Sequence, residues 1–124
     1  MKKTYFEIDE DFNKIPGSDK DVVKWSFREG LEGSRLYKIG EYYYIYSTYG
    51  GWPAFQTVFR SKDIYGPYEE KKLIDDDNIH QGALVETQTG EWWTMLFYDK
   101  GAYGRFPNLQ PVKWVDGWPE IGEN

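Results

Sequence analysis

The stretch EGSRLYKIGEYYYIYSTYGGW, residues 32–52, decides the fold of this chain. Residues 34–39 and 42–49 are rich in the β-branched and aromatic residues that suit strands. Gly40-Glu41 between them is a short glycine-containing connection, which is typical of a β-hairpin. Glu32 precedes the first strand, and an aromatic, glycine-rich loop follows the second. A carboxyl group and an aromatic loop at one end of a hairpin indicate a sugar site, because aromatic faces stack on sugar rings.

The same hairpin pattern recurs about 50 residues further along the chain, a spacing typical of repeat architectures. Residues 33–36 align with residues 82–85, and residues 40–45 align with residues 90–95, with Gly, Glu and paired aromatics in matching places. A period of roughly 40–50 residues with about four short strands per unit is typical of a β-propeller blade. No stretch shows helical periodicity with start and stop signals. We therefore predict an all-β fold, a partial β-propeller.

Residues 1–124 are predicted to form a single partial propeller. Residues 4–27 would end one blade, residues 34–75 would form a full blade, and residues 82–121 would form the next. These are about two and a half four-stranded blades, whereas a closed ring needs at least about four. We expect the missing blades to come from the same parent polypeptide or from a second copy, because two copies supply roughly five blades.

Composition excludes several classes of partner. The net charge of -6 argues against nucleic acid and against an anionic membrane surface, because both require clustered Lys and Arg. The chain has no Cys, so no disulfide framework or thiolate metal site is predicted. No apolar run approaches the ~20 residues of a membrane-spanning helix. No signal-peptide core follows Met1, which indicates a cytoplasmic protein if this N-terminus is native; the localisation is otherwise open.

Five motifs in order resemble glycoside hydrolase family 43, in particular its arabinofuranosidase and xylosidase-like members. The motifs are EGSRLYKI with YYY (residues 32–44), YGPYE (65–69), HQGALV with GEWW (80–93), GR with Pro (104–107), and PV with DGWP (111–119). The resemblance covers nearly the whole chain after about residue 28. It implies a five-bladed propeller and an inverting enzyme that acts on arabinose- or xylose-containing oligo- and polysaccharides.

The resemblance also implies roles for particular residues. Glu32 matches the general acid, which protonates the leaving oxygen while a separate carboxylate activates water. His80 matches the histidine at the propeller axis, which helps to hold a calcium ion through water, and Arg105 matches an arginine that reaches the substrate. The alternatives are a solvated glutamate, a structural histidine and a surface ion pair. Tyr49, Trp52 and Phe55 are candidates for substrate binding, with packing between blades as their alternative.

The chain departs from the family pattern in one respect. The family's general base and its pKa-tuning aspartate come from the first two blades, and the acidic residues near the N-terminus of this chain do not match those motifs. We therefore expect the isolated chain to be inactive. The competing interpretation is a non-catalytic carbohydrate-binding or structural half-propeller, a dissected or engineered fragment that completes its ring by assembly. A protein-interaction propeller of the kelch type is less favoured, because the kelch glycine pair and spacing are missing.

Overall fold

The described strands of this computed structural model form three antiparallel sheets. The structure describes residues 3–23, 30–50, 54–74 and 78–122. Trp52 and residues 24–27 of the predicted first blade segment therefore lie outside the described residues. In the part that is described, no helix is long and apolar enough to span a bilayer.

Each of the two larger sheets contains four strands in sequence order, as in a propeller blade. The small N-terminal sheet pairs β1 (Lys3–Tyr5) with β2 (Lys20–Val23). The first large sheet contains β3 (Leu31–Ile39), β4 (Tyr42–Tyr49), β5 (Phe55–Ser61) and β6 (Glu69–Lys72). The second contains β7 (Ile79–Glu86), β8 (Trp92–Asp99), β9 (Arg105–Val115) and β10 (Trp118–Ile121), with one 3-10 turn at Gly101–Tyr103. The prediction of an all-β partial propeller is confirmed.

The central strand β4 is buried on both of its faces. Ile45 and Tyr49 pack with Phe59 on the side facing Tyr5, whereas Tyr46 packs on the side of the second sheet. Because successive strand residues point to opposite faces, an unbroken aromatic and aliphatic run is what a strand between two layers requires. The first sheet is therefore the middle layer of the described structure.

Tyrosine hydroxyl groups join the two large sheets. The Tyr44 hydroxyl donates to the Gly117 carbonyl at 2.7 Å, and the Tyr46 hydroxyl bonds the Thr94 hydroxyl at 3.0 Å. The Tyr37 hydroxyl accepts the Leu84 N–H at 2.9 Å. Burial raises the pKa of Tyr46, so this phenol stays a donor at any physiological pH. Three of the eleven tyrosines of the chain therefore form hydrogen bonds between the two sheets.

A buried amide fixes the two sheets at their inner end. Gln56 on β5 is fully buried; its Oε1 accepts the Gly82 N–H at 2.8 Å, and its Nε2 donates to the Ser47 carbonyl at 2.8 Å. A Cβ on Gly82 would lie 2.7 Å from both Tyr46 and Leu96, so only glycine fits at this contact. Buried polar groups are stable only when paired, which ties β7 to one position against β5.

Arg60 fixes the outer end of the same two sheets. Its guanidinium lies 3.9 Å from the ring centroid of Trp118 and 4.8 Å from that of Tyr42. Its Nη1 donates to the Asp116 carbonyl at 2.7 Å, and its Nε pairs with Glu69 at 2.7 Å. A planar cation that stacks between aromatic rings and also donates hydrogen bonds holds the sheets more specifically than apolar contact alone.

One face of the second sheet stays exposed. The side chains of this face come from alternate residues of each strand and lie opposite one another on neighbouring strands, as Met95 lies opposite Leu109. The exposed apolar side chains of this face are Val85, Met95, Phe97, Leu109 and Val115. An apolar sheet face of this kind is the surface that an adjoining blade covers, as expected for a partial propeller.

Replacing Gln56 should destabilise the chain strongly. In Gln56→Leu the Gly82 N–H and the Ser47 carbonyl lose their buried partner, so we expect the free energy of unfolding to fall by about 3 kcal/mol. Gln110→Leu is the control, because Gln110 is only part-buried and donates to the Asn108 side chain, a partner that water can replace. Urea unfolding measures both variants, and equal losses would contradict the proposed link between the sheets.

Candidate functional site

A cleft of about 190 Å³ lies where the leading strands of the two large sheets meet. The residues that line it are Glu32, Gly50, Ala54, His80, Gln81, Asp99 and Arg105. Glu32 comes from β3, His80 from β7 and Arg105 from β9, so three residues that are far apart in sequence converge in one place. The structure thus brings together the three polar residues that the sequence singled out.

Glu32 lies within β3, which begins at Leu31, three positions before the strand start predicted from the sequence, and a β-bulge follows Glu32 in the ladder. The β3–β4 register shifts between Glu32 and Arg35, and Gly33 inside the bulge adopts a positive φ of 61°. A bulge can re-aim a side chain that a regular strand would point elsewhere. The exposed carboxyl group of Glu32 therefore opens into the cleft while its backbone stays in the sheet.

The carboxyl group of Glu32 is held from two sides. Its Oε1 lies directly against Gly50, where the Cβ of any other residue would overlap it. Its Oε2 accepts a hydrogen bond from the Gln81 side-chain amide at 3.3 Å. The Gly50 N–H in turn donates to the Gly30 carbonyl at 2.9 Å, which fixes the backbone on that side. The position of Glu32 therefore depends on both sheets.

Asp99 joins His80 and Arg105 into one unit. The buried His80 places its Nε2 at 2.5 Å from Asp99 Oδ2, and Arg105 Nε pairs with Asp99 Oδ1 at 2.9 Å. Because an ionised carboxylate can only accept, the proton of this hydrogen bond is carried by Nε2 of His80. The hydrogen bond from His80, followed by the charges of His80 and Arg105, holds the pKa of Asp99 below its ordinary value.

Asp99 and Gln81 are the site residues that sequence reasoning missed. Asp99 lies directly opposite Arg105 in the β8–β9 ladder, so pairing the strand that begins at Arg105 with the strand before it would have found Asp99. Gln81 gave no such signal, because its role follows from a positive φ of 58° in an irregular part of β7.

The predicted aromatic residues are placed differently. Tyr49 is fully buried, its ring centroid lies 4.6 Å from that of Phe55, and its hydroxyl lies 2.5 Å from Glu70 Oε1. Phe55 is buried in the same cluster. Both residues therefore pack inside the core next to β1 and do not line the cleft. Alternate residues of a strand point to opposite faces, and Tyr49 and Phe55 lie on the face that points away from the second sheet. Trp52 lies outside the described residues.

The described residues do not supply a direct metal site. Among them, no group of three or more His, Asp or Glu side chains lies together as a ligand set. Calcium prefers several oxygen ligands, and the carboxylate nearest His80 is already paired with His80 and Arg105. Calcium held through water near His80 stays a prediction, and no chemical step here depends on it.

A larger, open hollow of about 620 Å³ lies beyond the cleft, at the β8–β9 connection. Its lining residues are Tyr98, Lys100, Tyr103, Phe106, Pro107 and Asn108. This lining contains no carboxyl group, which is the usual proton donor in glycoside hydrolysis. The smaller cleft is for that reason the candidate site.

Comparison with known proteins gives a consistent result. Residues 2–119 match the family model described as "Glycosyl hydrolases family 43". The chain is 38% identical over 97 residues to a putative beta-xylosidase of Xylanibacter ruminicola, covering 73% of this chain and 19% of that protein. It is 34% identical to a xylan 1,3-beta-xylosidase of a Vibrio species, covering 93% of this chain and 27% of that protein. The chain thus spans about a quarter or less of the length of these relatives.

Solved structures give the same picture. A bifunctional GH43-CE protein of Bacteroides eggerthii superposes with a TM-score of 0.85 at 36% identity, covering 98% of this chain and 17% of that one. A xylan beta-1,4-xylosidase of Bacillus halodurans superposes with a TM-score of 0.79 at 29% identity, covering 94% of this chain and 26% of that one. An alpha-L-arabinanase of Cellvibrio cellulosa, at 18% identity and a TM-score of 0.73, supports the fold alone.

The pKa of Asp99 should respond to loss of His80. We expect the pKa of Asp99, followed through its ¹³Cγ resonance, to lie below the ordinary value of 3.8. In His80→Gln this pKa should rise towards 3.8, because the carboxylate loses its largest stabilising contact. A carboxyl group whose pKa is lowered by folding stabilises the folded state at pH values above its ordinary pKa. This stability is lost as the pH falls through the pKa of the folded state. His80→Gln should therefore lose less stability on acidification than the parent chain.

The control for this titration is Lys113→Gln. It removes a cation from β9, the strand of Arg105, at the far end from Asp99. Identical Asp99 titrations in the parent chain and in His80→Gln would show that the contact between the two side chains is not formed in solution.

Proposed function

This chain belongs to glycosyl hydrolase family 43, and from that premise we propose that it supplies the general acid and part of the substrate site of an inverting hydrolase. The substrate class proposed is xylose- or arabinose-containing oligo- and polysaccharides. The observation that carries the proposal is the convergence of Glu32, His80 and Arg105 in one cleft between two blades. Relatives described as xylosidases and as a non-reducing end alpha-L-arabinofuranosidase support the substrate class.

Glu32 is the proposed proton donor. In an inverting mechanism a carboxylic acid protonates the departing glycosidic oxygen while a second carboxylate deprotonates water on the opposite face of the sugar. The Glu32 side chain is exposed to the cleft, and its neighbour there is the side-chain-free Gly50, so a sugar ring can approach the carboxyl group closely. The two aromatic candidates buried in the core are not part of this proposal.

Arg105 is the proposed substrate-binding cation. Asp99 engages its Nε at 2.9 Å, and this orients the planar guanidinium while its terminal nitrogens carry further donors. Its side chain is 63% exposed, so it can reach a ligand in the cleft. Sugar hydroxyl groups are suitable acceptors for such a fixed fork of donors.

The general base is proposed to come from elsewhere in the ring. Within the described residues, the carboxylates that line the cleft are Glu32 and Asp99, and Asp99 is paired with His80 and Arg105. We infer that the chain alone binds the sugar without hydrolysing it. The remaining blades would cover the exposed apolar face of the second sheet, supplied by the same polypeptide or by a second copy.

A non-catalytic carbohydrate-binding half-propeller is the second candidate. The observation in its favour is the same pairing of Asp99, which leaves Glu32, among the described residues that line the cleft, as the acid in position to react. The two candidates differ in what happens when the ring is complete. The hydrolase then cleaves its substrate, whereas the binding module does not.

Hydrolysis is tested with nitrophenyl β-xyloside and nitrophenyl α-arabinofuranoside. We expect no hydrolysis by the chain alone and hydrolysis with inversion, followed by NMR of the product anomer, in the form of the protein with a complete ring. Glu32→Gln should lower hydrolysis of xylobiose or arabinobiose, whose sugar leaving groups need the proton, by about 100- to 10,000-fold, the usual contribution of a general acid. Full activity of Glu32→Gln would overturn the assignment of the acid.

Binding is tested by calorimetry with xylotriose and arabinotriose and the chain alone. Arg105→Met should weaken binding by roughly 10- to 100-fold, because a charged hydrogen-bond donor contributes about 1.5–3 kcal/mol. Lys113→Met, which removes an exposed cation elsewhere on β9, is the matched control and should not change the affinity. Absence of binding for both sugars would contradict the proposed function.

A further inference from the structure

Gln81 has a backbone conformation that a non-glycine residue rarely adopts within a strand. Its φ is +58°, and the β7–β8 register is irregular between His80 and Ala83. Left-handed non-glycine residues persist where surrounding contacts hold them, and they are frequent at functional sites. The Gln81 N–H donates to the hydroxyl of the buried Thr48 at 2.7 Å, and that hydroxyl donates to Gln56 Oε1 at 2.9 Å. The unusual backbone is therefore anchored in the buried link between the sheets.

Because of this backbone conformation, the side chains of the consecutive residues His80 and Gln81 contact different sheets. His80 contacts Asp99 in the second sheet, whereas the Gln81 side chain crosses to the first sheet and donates to Glu32 Oε2 at 3.3 Å. On its way it lies against Gly33, where an added Cβ would be 2.5 Å from Gln81 Oε1. A side chain at position 33 would therefore displace the Gln81 amide from this path.

The neutral amide of Gln81 distinguishes the two oxygens of the Glu32 carboxyl group. An amide N–H needs a lone pair on the oxygen that it faces, and a hydroxyl hydrogen on that oxygen would compete with it. Oε2, which faces Gln81, is thus favoured as the carbonyl oxygen of the protonated acid. Oε1, which lies beside Gly50, is then the oxygen that carries the proton.

We propose that Gln81 is a positioning residue for the acid, which holds Glu32 by Oε2 from the neighbouring blade so that Oε1 presents the transferable proton. The proposal rests on the proposed role of Glu32 as general acid. The contact between the Gln81 and Glu32 side chains is independent of that role. In the productive step, the Oε1–H bond breaks and the glycosidic oxygen takes the proton as its bond to the anomeric carbon breaks, while water that loses its proton to the general base bonds to that carbon. The electron pair left on the carboxyl group is stabilised by the Gln81 amide. Gln81 itself neither gains nor loses a proton.

The contact is tested first, by NMR of the side-chain amides in the isolated chain. The Gln81 NH₂ signal should move as Glu32 ionises, and Glu32→Gln should abolish this movement, because the acceptor no longer acquires charge. The Gln110 amide is an internal control, because it donates to the neutral Asn108 side chain at 2.9 Å. A Gln81 signal that moves equally in Glu32→Gln, or in neither protein, would overturn the proposal.

The positioning role is tested in the form of the protein with a complete ring. Gln81→Met keeps the length of the side chain but removes its amide, whereas Gln81→Ala removes the side chain beyond Cβ. Both variants lack the amide, so the test can be made with whichever of them folds. We expect kcat for xylosides with poor leaving groups to fall about 100-fold, as when a reacting group is misplaced by about 1 Å. KM should stay unchanged, and so should hydrolysis of dinitrophenyl xyloside, whose leaving group needs no proton. Gln110→Ala is the matched control.

The outcomes separate this proposal from the proposed function. Glu32→Gln should itself lose activity on poor leaving groups and keep it on dinitrophenyl xyloside. If Glu32→Gln shows this dependence and the Gln81 variants do not, the positioning role is wrong while the general acid stands. If Glu32→Gln lacks the dependence, the assignment of the acid fails first.

Discussion

The hydrogen bond between the Gln56 side chain and the Gly82 N–H is the constraint on which the site depends. It forms where no side chain larger than hydrogen fits at position 82, so the two sheets meet at a fixed distance and register. Gln56 also ties Thr48, and Thr48 holds the backbone of Gln81. The buried polar contacts between the blades thus continue directly into the residues of the cleft.

Two β-bulges turn this sheet contact into a site. One lies in β3 after Glu32 and the other in β7 after His80, at corresponding places in the two sheets. Regular strands would send alternate side chains to opposite faces and could not aim Glu32, His80 and Gln81 into one cleft. The bulge therefore has the same effect in both blades. In each blade it directs polar side chains of the first strand, β3 or β7, into the cleft.

The sequence predicted the fold well because the fold rests on local patterns. Aromatic strand runs, short glycine turns and a fifty-residue recurrence identify the hairpins without any knowledge of their packing. The placement of Glu32, His80 and Arg105 near one another followed from the family resemblance. Gln81 was missed because its direction depends on a left-handed backbone fixed by Thr48, and Asp99 because its role arises from cross-strand pairing with Arg105. Tyr49 and Phe55 are buried because strand parity, rather than aromatic character, decides which side a residue faces.

Two blades of this family 43 chain bring separate segments to one cleft, and the central proposal is that this cleft binds a sugar. Titration of the ¹⁵N-labelled chain with xylotriose and with arabinotriose, observed through backbone amides, tests it most directly. The account predicts that Gly50, Gln81 and Arg105, from three distant segments, shift together along one binding curve for at least one of the two sugars. Shifts confined to Tyr103 and Phe106 in the larger hollow, or different curves for the three residues, would contradict it.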